Sequence, residues 1–466
     1  MNSRYERLRC FSLFHRCADL ACDATDRTLT RSAAATGRVS TRATDSHCGH
    51  ISLRNTRCRP ATRSAPKPRL RAIMRRHQTQ AGDATTSRRL ASLVPLLLMI
   101  VASCSNAEPP APTETVRELS WSRVALPESV AASTLAATSE ALLVGGRASS
   151  GGDHPVLFVV DASGSTRSVP LHPTSPYAKA ADLVSVAARG EEVVALGAAH
   201  GGAHANFRWT VWAGSRQRLD EYPQTFETFG GQSAGGLLDI VITSEGAAIA
   251  GTWAASEGGL DAAVWLPRGR KWLRQESAGT ALANTKELQV APRAASAVGS
   301  TMIISGSVIT FSDGAEQRAA VWTQPSRSSA WMLHQLPDAG THSEALSSRC
   351  AETCWISGHA DGRVALWSFD PADATGTATR DSTLPSMEID ADGPGPRTVL
   401  SGDRPGVLFS HAGSSRALLR DGRNGWQTFT APAGSVLDAT TVGDRLYAII
   451  RTEDAVGLWT ADLATT

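Results

Sequence analysis

Along the last 350 or so residues, short apolar bursts alternate with polar turn-forming stretches, and a small-apolar-aromatic triplet returns seven times. It reads Val156-Leu157-Phe158, Thr210-Val211-Trp212, Ala263-Val264-Trp265, Ala320-Val321-Trp322, Ala365-Leu366-Trp367, Ala417-Leu418-Leu419 and Gly457-Leu458-Trp459. The third positions lie 40 to 57 residues apart, with a mean of about 50. Ahead of each triplet runs an apolar strand that usually ends in Gly or a small residue, as in Leu142-Leu143-Val144-Gly145, Ile303-Ile304-Ser305-Gly306 and Trp355-Ile356-Ser357-Gly358. Further upstream lies another short apolar run, such as Leu183-Val184-Ser185-Val186-Ala187 or Val436-Leu437-Asp438-Ala439-Thr440. After several triplets comes a strand that carries Trp272, Trp331 or Trp426.

Each unit therefore contains four short strands, A to D. A repeat of this length built from such strands is the signature of a β-propeller, in which the A strands line the axis. The seventh unit ends at Thr466 without a D strand, whereas Leu119-Ser120-Trp121-Ser122-Arg123-Val124-Ala125-Leu126-Pro127 has a D strand's pattern and no A, B or C of its own. The expectation is an all-β, seven-bladed propeller over residues 118–466, its ring closed by this N-terminal strand, which completes the last blade and removes an exposed edge. Tryptophans at C and D positions are expected to pack between blades. Composition agrees: 40 glycines and 19 % charged residues suit a turn-rich all-β chain.

Charge changes the picture, because the net +2 hides two unlike regions. Residues 1–103 hold 19 Lys and Arg against 6 Asp and Glu, a net of +13, which leaves the remainder at −11. An acidic folded part repels phosphate backbones, so nucleic acid is not expected as a partner. Residues 1–73 carry no apolar periodicity and read as a basic, disordered leader ahead of the true start of translation at Met74.

From Arg88-Arg89 the chain runs through Leu90 to Ile100 into Val101-Ala102-Ser103-Cys104. A basic region, a short apolar stretch and a small-residue site ending on Cys resemble a bacterial lipoprotein signal over 74–103. Thirteen apolar positions at about 1.5 Å each reach only ~20 Å, short of the ~30 Å of a bilayer core. The resemblance implies export, lipid on Cys104, and a flexible tether over 104–117 that includes Pro109, Pro110 and Pro112. The arginine pair also resembles a twin-arginine signal, but Ala91 replaces the apolar residue expected there, which favours the general secretory route.

Cys350 and Cys354 flank three residues in the A–B turn of the fifth unit. In an oxidising compartment such a pair is expected to form a structural disulfide, the alternative being two neighbouring free thiols. The stretch Ser357-Gly358-His359-Ala360-Asp361-Gly362-Arg363-Val364-Ala365-Leu366-Trp367 resembles the B–C hairpin of a WD repeat, in one unit only.

No nucleophile elbow, zinc-protease helix, phosphate-binding glycine loop, EF-hand series or intact Asp-box is present in the sequence. No catalytic residue, metal-ligand set or cofactor is assigned. Of the eight histidines after Cys104, five fall in B–C connections: His154, His200, His204, His359 and His411. With Trp253, and with Asp153 and Asp361 nearby, they form a candidate binding face, since all B–C loops emerge on one side of a propeller. Gathered imidazoles could bind a metal or sense pH, and with the tryptophan they could stack on a sugar. The function expected is a lipid-anchored, monomeric, non-catalytic module that binds or scaffolds a protein at the cell envelope. A small-molecule or glycan receptor and a propeller hydrolase or lyase are the alternatives.

Overall fold

The computed structural model describes residues 116–464 apart from 128, 202–205, 312–313, 373–376 and 423–424. The leader, the signal segment, Cys104 and most of the tether lie outside these residues. So does His204.

Seven sheets follow one another, each with strands in the order A, B, C, D. The inner strands, from Val130–Ala137 in blade 1 to Ser435–Val442 in blade 7, contact one another in succession, and the last touches the first. The ring is thus a seven-bladed β-propeller. As expected, Trp121–Arg123 is the outer strand of blade 7 and pairs antiparallel with Val456–Asp462. Leu119 and Val124, on either side of it, are buried.

One strand was not expected. Val116–Glu118 adds in parallel to the D strand of blade 6, Trp426–Thr430, so pairing starts two residues before position 118. The N-terminal segment therefore engages two adjacent blades. Leu171–His172 makes the same kind of parallel addition to the D strand of blade 2. No helix among the described residues is long and apolar enough to cross a membrane.

The apolar core is divided into seven clusters, one at each junction between blades. Trp212, Trp265, Trp322 and Trp367 are fully buried in four of them, each facing the preceding blade. A buried indole N–H needs an acceptor. Those of Trp265, Trp322 and Trp367 donate to the carbonyls of Thr228, Ala281 and Pro337, at 3.0, 2.9 and 2.8 Å, in the connection that enters the tryptophan's own blade. Each tryptophan thereby fills a junction and fastens a loop.

In blade 6 the register differs from the expected one by a residue. Leu418 pairs with Val407 and both face blade 5, as Trp367 and Ile356 in blade 5 face blade 4. Leu419 points instead toward blade 7. Without an aromatic side chain to mark the junction, two consecutive leucines are indistinguishable by pattern.

The glycines of the B strands have a structural cause. In blades 1 to 5, Gly146, Gly197, Gly251, Gly306 and Gly358 lie opposite the residue just before a bulge in the A strand. A Cβ on Gly146, Gly306 or Gly358 would overlap an A-strand carbonyl oxygen. The bulge inserts one residue and re-aims the side chain that follows it. The hairpin of blade 5 is closed at its other end by the disulfide Cys350–Cys354, S–S 2.11 Å, between cross-strand partners.

Candidate functional site

The re-aimed side chains form a ring about the axis. One residue per blade, just after the bulge or at its equivalent, contributes: Thr134, Ser185, Asp239, Ala294, Ser347, Arg397 and Asp438. Four of them accept a hydrogen bond from the backbone of the next blade. Ser185 Oγ accepts from Ile240 N at 3.1 Å, Asp239 Oδ2 from Ala295 N at 2.8 Å, Ser347 Oγ from Thr398 N at 3.1 Å, and Asp438 Oδ2 from Leu135 N at 2.7 Å. Neither Ala294 nor a guanidinium can accept. After Arg397, the Ala439 N–H accordingly turns to its own neighbour, Asp438 Oδ1, at 2.8 Å.

The ring encloses an axial channel of about 430 Å³. Asp239 also accepts from Ser185 Oγ at 3.1 Å, which joins blades 2, 3 and 4 through one carboxylate. The surrounding wall raises its pKa to about 6, against the lowering pull of these bonds, while one edge of the side chain still meets the lumen. Arg349 of blade 5 reaches past blade 6 to Asp438, Nη2 to Oδ1 3.8 Å. Arg397 donates from Nε to Leu437 O at 2.9 Å and from Nη1 to Leu346 O at 3.5 Å, bridging both neighbouring blades.

At the mouth on the B–C side, Arg293 of blade 4 donates to Glu344 Oε1 of blade 5 at 2.7 Å. Gln317 and Ser307 donate to the same oxygen at 3.2 and 3.4 Å. Next to them the rings of His342 and His359 lie 5.4 Å apart. Burial lowers the pKa of His359, and its Nδ1 is buried without a hydrogen-bond partner. Asp361 holds the turn: Oδ1 accepts from His342 N at 2.9 Å and from Thr341 N and Oγ1 at 3.1 Å, and these bonds lower its pKa.

Of the histidines singled out in the sequence, the four among the described residues, His154, His200, His359 and His411, occupy separate blades. His154 Nδ1 lies 2.9 Å from Gly152 O in blade 1, and the ring of His200 lies tilted against Phe207 at 4.4 Å in blade 2. His411 ends the B strand of blade 6. Asp153 pairs with Arg147 at 3.0 Å. Trp253 in blade 3 packs edge-on against Trp265 at 6.0 Å and lies under the Arg274 guanidinium at 5.3 Å, so its ring is already engaged. Among the described residues no three His, Cys, Asp or Glu stand together as metal ligands would. His342, which pattern alone did not mark, is the histidine that meets another.

The same face carries exposed aromatic rings. Tyr177, Phe226 and Phe311 are 39, 49 and 46 % exposed, and all three sit in D–A or B–C connections. Tyr177 is set by the short helix Pro176–Lys179, which Ser175 caps through Ala178 N at 3.1 Å. Buried Glu221 anchors the turn before it, accepting from Thr174 N and Ser175 N at 2.6 and 2.7 Å. Phe226 opens a second short helix, Phe226–Phe229. Between the two rings lies the Arg208 guanidinium, 5.9 Å from Tyr177 and 4.6 Å from Phe226.

No protein-family model matches the sequence. Nor does any curated protein show significant similarity to it. Among solved structures, the chain is similar to the β-propeller domain of the trilobed protease from Pyrococcus furiosus, with 7 % identity and TM-score 0.43, covering 73 % of this chain and 97 % of that one. It is also similar to a puromycin-hydrolysing peptidase from Mycobacterium tuberculosis, with 12 % identity and TM-score 0.47, over 76 % of this chain and 55 % of that one. A third likeness is to an acylaminoacyl peptidase from Pyrococcus horikoshii, with 10 % identity and TM-score 0.42, over 74 % and 54 %. The chain thus spans about half the length of the two peptidases.

Proposed function

We propose that this propeller is a non-catalytic docking module, exported and held at the outer side of the cell membrane by lipid on Cys104, which binds an envelope protein through its B–C face. One observation carries the docking reading. The described residues include five exposed large apolar side chains; two, Val116 and Leu273, lie on outer strands, and the three aromatic ones share a single face. Exposed aromatic side chains beside an arginine have the composition of a protein-binding hot spot. The Arg208 guanidinium lies over both rings, 5.9 Å from Tyr177 and 4.6 Å from Phe226, so the three side chains are gathered into a ledge before a partner arrives. A preformed ledge lowers the ordering cost of association. The glycan alternative has less support, because the ring of Trp253 is covered by Arg274.

The test is affinity capture of the full-length lipoprotein from gently solubilised membranes, compared with a Tyr177→Ser/Phe226→Ser variant. A stoichiometric protein held by the parent and lost by the variant supports the reading. A partner retained equally by both, or none with either, overturns it. Lipid attachment is read separately: Cys104→Ser is expected to move the protein from the membrane to the soluble fraction.

A further inference from the structure

We propose that the axial channel is a binding site for a small oxyanion, a carboxylate or phosphate compound that also bears hydroxyl groups. The proposal is independent of the docking face. Three arginines, Arg293, Arg349 and Arg397, come from the consecutive blades 4, 5 and 6 and line one arc of the wall. The lining carboxylates are Asp239 and Asp438, from the flanking blades 3 and 7. Arg293 is paired with Glu344 at 2.7 Å and Arg349 lies 3.8 Å from Asp438, so Arg397 is the lining arginine without a carboxylate partner among the described residues. A guanidinium without a counter-charge in a narrow, low-dielectric passage attracts an anion.

The guanidiniums are only partly engaged. Arg397 uses Nε and Nη1 on carbonyls, and Arg349 holds Ser348 O at 3.2 Å and Ala439 O at 3.4 Å with its two terminal nitrogens. No described residue takes the second terminal nitrogen of Arg397 or Nε of Arg349. One nitrogen on each guanidinium is thus left to donate a charge-assisted hydrogen bond to a carboxylate or phosphate oxygen. Beside them Ser347 Oγ, which accepts from Thr398 N at 3.1 Å, keeps its own hydrogen for a ligand oxygen or hydroxyl. A volume of about 430 Å³ falls within the range of small-molecule sites.

Isothermal titration of the detergent-solubilised full-length protein with inorganic phosphate, citrate and gluconate, each at chloride-matched ionic strength, tests the proposal. At least one is expected to saturate at one per chain. Arg397→Gln should weaken that binding about 10-fold, and Ala294→Phe, which narrows the lumen without touching a charge, should abolish it. Arg318→Gln on the C strand of blade 4 should leave it unchanged. Heats no larger than the chloride control for all three probes, or binding that survives Ala294→Phe, would overturn the proposal. If Arg397→Gln fails to fold, the stoichiometry of the parent protein and the occluded variant decide.

Discussion

The blade junctions and the axial ring solve opposite problems with the same repeated strands. At the junctions the same kind of apolar side chain returns in blade after blade, and fully buried tryptophans make their neighbours nearly interchangeable. At the axis no such repetition holds: equivalent positions carry Thr, Ser, Asp, Ala, Ser, Arg and Asp. Closing a ring of blades requires uniform packing, whereas a channel is defined by what differs around it. Stability and individuality therefore occupy different radii of one sheet.

The largest test of this contrast is Trp322→Ala. The side chain is fully buried and its N–H is bonded, so the loss should be about 3–5 kcal/mol in denaturant unfolding, measured by the shift in midpoint. A loss below 1 kcal/mol would show that junctions are not where stability resides. Gly358→Ala comes next. Its Cβ would overlap Glu344 O, so overpacking should cost about 3 kcal/mol in the same measurement and disturb the bulge that aims Ser347. Removing the staple by Cys350→Ala/Cys354→Ala should cost about 2 kcal/mol, and reduction of the parent protein should reproduce the loss.

The ring itself is probed by pH. Because the folded pKa of Asp239 is raised to about 6 from 3.8, the folded state binds the proton more tightly than the unfolded one. Its stabilising contribution is complete below about pH 4 and is lost as pH rises through about 6. Asp239→Asn should flatten that slope and raise stability at pH 7 by about 1 kcal/mol, a value reduced for the edge that meets lumen water. An unchanged pH–stability curve would remove Asp239 from the account. The smallest effect belongs to the outer surface. The Arg318–Glu316 pair at 2.8 Å is 47 and 42 % exposed, and Arg318→Ala should change stability by less than about 0.5 kcal/mol.

The junctions were the legible half of the molecule. Bulky residues at a fixed place in each C strand declare the repeat, and only where the aromatic gives way to Leu418 and Leu419 did the register slip. The closing strand was legible because Trp121 and its neighbours repeat a D-strand pattern out of place. Val116–Glu118 was not, since three residues paired in parallel carry no alternation to read. The ring left a subtler trace, a lone polar residue inside an apolar run, as with Ser185 after Leu183-Val184 and Asp438 after Val436-Leu437. That trace gains meaning only once the bulge opposite a glycine turns the side chain toward the axis. His342 and His359 meet across paired strands, a neighbourhood that spacing along the chain does not encode.

The N-terminal segment has a mechanical consequence. Val116–Glu118 runs parallel along blade 6 and Trp121–Arg123 antiparallel along blade 7, with Trp121 Nε1 donating to Thr430 O at 3.1 Å between them. Tension applied to the chain ahead of Val116 meets the pairing with blade 6 first and reaches blade 7 only after that pairing yields, so two clasps act in succession. The same few residues that close the ring also set two blades in turn against a pull, and the load path ends in sheets remote from the Tyr177–Phe226 ledge.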